Sequence, residues 1–74
     1  MARKEIKSEV AGTVWLVETE VGAKVAEDDT LIVLESMKME IPVDAPQAGI
    51  VVEILVAKDD PIEEGQAIAI IETI

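Results

Sequence analysis

Apolar positions along this chain fall into short runs divided by clusters of acids, glycine and proline, and the runs are rich in branched residues. Val and Ile together number 20 in 74 residues, and Thr adds 4. Branched side chains suit a pleated strand and lose rotamer freedom in a helix, so the pattern predicts strands. Val10, Val14, Val17, Val21 and Val25 also recur at helical spacing, but Gly12 and Gly22 interrupt that stretch. Leu31 to Leu34 and Ile68 to Ile71 are apolar at consecutive positions, the pattern of strands covered on both faces.

Sliding the chain by 37 residues lays Ala11 to Glu35 over Ala48 to Glu72 without a gap. Ala11, Gly12, Val14, Glu27 and Glu35 then meet identical residues at Ala48, Gly49, Val51, Glu64 and Glu72, and apolar character is kept at Val17 and Ile54, Val25 and Ile62, and Val33 and Ile70. Self-similarity of this kind marks two copies of one unit. Each copy reads as a strand, a turn and a strand: Thr13 to Glu18, the turn at Glu27 to Asp29 and Thr30 to Glu35, then Ile50 to Val56, the turn at Glu63 to Gln66 and Ala67 to Thr73. Neither copy alone buries enough surface, whereas two packed together share one core. The expectation is an all-β sandwich, with half one at about 5–37, half two at about 39–74, a hairpin tip at 37–38 and residues 1–4 as an N-terminal extension.

Composition narrows the chemistry. Half the residues are apolar, too many for a disordered acidic tail. No apolar run approaches the ~20 residues of a membrane span, and the basic start lacks the apolar segment of a secretory signal, which makes the cytoplasm the default location. With no Cys and no His, disulfides, thiolate nucleophiles and the commonest metal ligand and general base are excluded. Sixteen acids against six bases give a net charge of −10, which repels nucleic acid and anionic lipid. Asp28-Asp29 and Asp59-Asp60-Pro61 read as solvated turns, because they lack the spaced oxygen ligands that calcium needs. Trp15, the sole aromatic residue, is expected in the core or at its rim, with a place on a docking surface as the alternative.

One segment breaks a local rule. Glu35-Ser36-Met37-Lys38-Met39-Glu40-Ile41-Pro42-Val43 joins two strand-like stretches with almost nothing between them, which implies a tight hairpin with Met37-Lys38 at its turn. Two-residue hairpin turns need positive φ and favour Asn, Asp or Gly. Conflicts between sequence and local geometry tend to mark functional positions. Lys38 at this tip would extend a long amine from the junction of the two copies, between two adaptable thioethers.

Glu35-Ser36-Met37-Lys38-Met39-Glu40 resembles the biotinylation sequence of biotin carboxyl carrier domains. The resemblance runs from about Glu5 to Thr73 and includes the Ala-Pro-x-x-Gly pattern at Ala45 to Gly49 and the Val-x-x-Gly pattern ending at Gly65. It implies a flattened barrel or sandwich of two four-stranded antiparallel sheets with pseudo-twofold symmetry, and the gapless repeat makes this the kind without a protruding thumb loop. It also implies that Lys38 carries covalent biotin, with Glu35, Ser36, Met37, Met39 and Glu40 as recognition residues. Ser36 stands where the family usually has Ala, Asp28 occupies the first-half position matching Gly65, and Asp59 lies opposite Gly22. Asp tolerates left-handed backbone, so both turns are expected to persist.

The resemblance further implies a non-catalytic carrier with three partners: a biotin protein ligase that acylates Lys38, a biotin carboxylase that loads carbon dioxide as carboxybiotin, and a carboxyltransferase that passes it on. The acceptor stays open among acetyl-CoA, propionyl-CoA, another acyl-CoA, pyruvate or something else. Two alternatives belong beside this reading: a lipoyl carrier, which typically has Asp before the lysine and Ala after it, and an unmodified β-sandwich adaptor, for which Met-Lys-Met has no purpose. A Schiff-base enzyme would need a buried amine, which a hairpin tip does not supply.

Overall fold

Branched residues and acidic turns divide the chain into eight strands among the residues that the computed structural model describes, 2–73. These are β1 (Arg3–Lys7), β2 (Gly12–Val17), β3 (Lys24–Val25), β4 (Thr30–Ser36), β5 (Met39–Asp44), β6 (Gly49–Ile54), β7 (Pro61–Ile62) and β8 (Ala67–Thr73). They form two four-stranded antiparallel sheets, in the order β1-β8-β6-β3 and β5-β4-β2-β7. Exchanging the halves of the chain converts one order into the other. The described residues contain no helix.

The same exchange holds at the level of single bonds. The Val14 amide donates to the Asp60 carbonyl at 2.9 Å, and Val51, its equivalent, donates to the Ala23 carbonyl at 3.0 Å. Four turn residues also match in pairs, with φ of 94° at Gly22 and 73° at Asp59, and 72° at Asp28 and 83° at Gly65. The two aspartates thus take the left-handed backbone expected of them. Asp29 and Gln66 close equivalent turns, accepting from the amides of Ala26 and Glu63 at 2.8 and 2.9 Å.

The core lies between the sheets. Val14, Leu31, Ile32, Leu34, Ile68 and Ile71 are fully buried, and partly buried Val17, Val25, Val43 and Ile54 pack around them. Strand register shows why apolar residues occur consecutively. The β4–β5 ladder runs from Thr30↔Asp44 to Ile32↔Val43, so Leu31 is an extra residue in a bulge. Its equivalent, Ile68, is skipped where β8 pairs with β1. A bulge sends two successive side chains the same way, which accounts for the buried neighbours Leu31 and Ile32. This corrects the expectation of strands covered on both faces, since Val33 and Ile70 are only half-buried on the outer surfaces.

Two other expectations change. The strand β1 begins at Arg3, not after an extension of four residues, and its Ile6 is a core residue; Met1 lies outside the described residues. Of the places expected for Trp15, the core is excluded, since it is 41% exposed. It is the residue skipped where β2 pairs with β4 between Val14↔Leu34 and Leu16↔Val33, and that bulge turns it outward.

Candidate functional site

The hairpin between β4 and β5 closes through Leu34↔Ile41, Glu35↔Glu40 and Ser36↔Met39, leaving Met37 and Lys38 as the turn. Their φ values are 52° and 65°. Two consecutive left-handed residues make a type I′ turn, whose twist matches the strands that enter and leave it. Such backbone costs roughly 1–2 kcal/mol per residue that has a Cβ, and the paired strands on either side hold it in place.

Met37 is 91% exposed and Met39 61% exposed. Lys38, Glu35 and Glu40 are also exposed, while Ser36 is half-buried. The hairpin therefore raises a primary amine clear of the body, between two thioethers and above two carboxylates that face each other across the strands. Lys38 makes no salt bridge, the sole ion pair among the described residues being Arg3–Glu72 at 3.7 Å. An accessible amine free of any ion pair fits a group joined by an amide bond. A groove of about 340 Å³ between β1 and β5 is lined by Ile6, Val10, Leu34, Ile41 and Val43 among others, and includes neither Met37 nor Lys38.

Beneath the tip, β2 is drawn against β4. A Cβ on Gly12 would collide with the Glu35 carbonyl oxygen and sit 3.3 Å from the Ser36 side chain. This supporting role was not anticipated from the sequence, although the match of Gly12 with Gly49 was its signal. The molecule measures 36 × 17 × 17 Å, and the hairpin occupies one pole. At the other, the Thr73 amide donates to the Ala2 carbonyl at 2.7 Å. Thr73 pairs with Gly49, and Gly49 with Val25, close to the turn from which β4 sets out toward Lys38.

A two-sheet sandwich with its symmetric halves joined by a strained hairpin, and with one lysine lifted at that junction, defines an attachment domain: a protein that presents a side chain for modification. The family model for biotin and lipoyl attachment, described as biotin-requiring enzyme, matches residues 2–71, and the chain belongs to that family. Biotin, covalently attached, is the cofactor that membership assigns to it. The chain is 41% identical over 68 residues to a biotinylated protein TB7.3 homolog of Mycobacterium leprae, covering 92% of this chain and 96% of that protein. It is 35% identical over 63 residues to a biotin/lipoyl attachment protein of Bacillus subtilis, covering 85% and 86%. Among solved structures it is similar to the Kluyveromyces lactis urea carboxylase, with a TM-score of 0.92 and 33% identity over 97% of this chain and 6% of that one.

Proposed function

We propose that Lys38 is the biotin attachment site and that the chain is a non-catalytic carrier, shuttling a carboxyl group between a biotin carboxylase and a carboxyltransferase. The observation that carries this reading is the type I′ turn itself, which spends backbone strain on holding Met37 and Lys38 outward. In attachment, the Lys38 amine attacks the activated carboxyl of biotin, an amide forms, the adenylate that activated the carboxyl departs, and the amine loses its proton. When bound, the ureido ring of biotin accepts and gives up a carboxyl group.

The chain contributes position. Its sheets hold the hairpin, and the lysine stem adds a flexible tether that keeps the attached ring at high local concentration for two active sites in turn. Loss of the ammonium on acylation takes the formal charge from −10 one unit more negative. Methionines on both sides of Lys38 support biotin over lipoate. Similarity to a urea carboxylase names one such enzyme, and the acceptor is set by the transferase.

Intact-mass analysis after incubation with biotin, ATP and a biotin protein ligase tests the assignment, with Lys38→Arg and a parallel lipoate ligation alongside. One biotin adduct is expected on the wild type and none on Lys38→Arg. A lipoyl adduct in its place would move the chain to lipoyl chemistry, and an adduct that survives in Lys38→Arg would relocate the site.

A further inference from the structure

The twofold repeat provides an internal control, because a difference between the two equivalent outer faces is not demanded by the fold. On the lysine-bearing sheet, register places Pro42, Val33 and Leu16 in one row across β5, β4 and β2, with bulged Trp15 beside Leu16. The equivalent row on the other sheet is Glu5, Ile70 and Glu53, with bulged Val52. One face is therefore apolar where the other is flanked by carboxylates. Nearer the tip the contrast reverses sign. Glu72 pairs with Arg3 on one sheet at 3.7 Å, whereas its counterpart Glu35 faces Glu40 in the position equivalent to Arg3. Like charges directly opposite on a sheet repel.

An exposed tryptophan on an apolar row, beside two uncompensated carboxylates, has the form of a docking surface. Its complement is an apolar recess with an Arg or Lys at its rim. A second copy of this chain carries the same net charge of −10, so the two bodies repel each other overall. The lysine gives the occupant a further requirement. Lys4, Lys7, Lys24, Lys38 and Lys58 are all exposed, so accessibility does not single out Lys38, and the twofold backbone offers similar strands on both sheets. An enzyme that acylates one lysine has the hairpin tip to read and, beyond it, what differs between the faces.

We propose that the outer face of the β5-β4-β2 sheet is the docking surface for the biotin protein ligase, with Trp15 as the apolar anchor and the Glu35–Glu40 pair as the seat for a basic side chain of the enzyme. This rests on Lys38 being the biotinylated residue. The residues of the opposite sheet supply conservative replacements that the same backbone already accommodates.

The test is steady-state biotinylation by a biotin protein ligase at varied carrier concentration, with thermal melts of every variant. Trp15→Val and Glu40→Arg, which install the opposite face's residues, are each expected to raise KM about tenfold while kcat stays within about twofold, the pattern of lost binding and not of lost chemistry. Glu40→Arg should also raise the melting temperature by pairing with Glu35, so its weaker docking is not a folding defect. The mirror variants Val52→Trp and Arg3→Glu should keep the wild-type KM, the second while lowering the melting temperature. Wild-type KM for both Trp15→Val and Glu40→Arg would overturn the docking proposal and leave the carrier reading standing. A wild type that takes no biotin from a ligase active on another carrier would overturn that reading and this proposal with it. Sedimentation showing a wild-type dimer that Trp15→Val dissociates would assign the face to a second copy instead.

Discussion

Met37 and Lys38 hold positive φ with side chains that gain nothing from it, whereas the other four left-handed positions belong to Gly or Asp. A left-handed Met is strained because its Cβ crowds the backbone, while the short polar side chain of Asn tolerates that region. Since Met37 is 91% exposed, replacing it forfeits almost no burial. Met37→Asn is therefore expected to stabilise the domain by about 1 kcal/mol, a rise in melting temperature of roughly 4–8 °C for a chain of this size, while Lys38 is biotinylated more slowly. Thermal denaturation and a ligase assay check the two halves of this prediction. An unchanged or lower melting temperature would mean that Met37 stores no strain, and the turn would lose its claim to being shaped for function.

Strands meet most closely at two glycines. A Cβ on Gly12 would strike the Glu35 carbonyl oxygen, and one on Gly49 would strike the carbonyl oxygen of Glu72 at the equivalent place. The obstacle is backbone in a paired strand, so it cannot swing aside as a side chain would. Gly12→Ala and Gly49→Ala should each cost about 1–3 kcal/mol and, because the crowding is equivalent, lower the melting temperature by similar amounts. Only Gly12→Ala should also slow biotinylation, since β2 there supports the tip. The glycine pair was legible in the sequence, as were β2, β4, β6 and β8, because the repeat marks them and each is six or seven residues long. The strands β3 and β7 were not, being two residues each and too short for any periodicity. β1 reads as a charged extension because only Ile6 among Arg3–Lys7 is buried. The tip was anticipated from Met-Lys-Met and its missing turn residues, whereas the sequence left open whether Trp15 faces out, because a bulge changes the facing of a side chain without leaving a mark in the hydrophobic pattern.

At the scale of the whole molecule the backbones of the two halves are interchangeable under a shift of 37 residues. Residues 74 and 1 consequently occupy the sequence positions equivalent to Met37 and Lys38. Their described neighbours behave accordingly, for Thr73 donates to the Ala2 carbonyl at 2.7 Å where Ser36 pairs with Met39 on the other side. A second hairpin would close this pole, and Asn-Gly is the dipeptide best suited to its turn. The circular permutant that starts at Ala48, ends at Gln47 and carries Asn-Gly in place of residues 74 and 1 keeps every strand and both sheet orders. Its new ends fall among exposed residues between β5 and β6, where a break costs little. It is expected to melt cooperatively within about 10 °C of the parent and to take biotin on Lys38 at a comparable rate. A permutant that failed to melt cooperatively would show that the first half must lead the second in the chain. A folded permutant that lost only biotinylation would show that the pole opposite Lys38 takes part in recognition, 36 Å being the full length of the molecule.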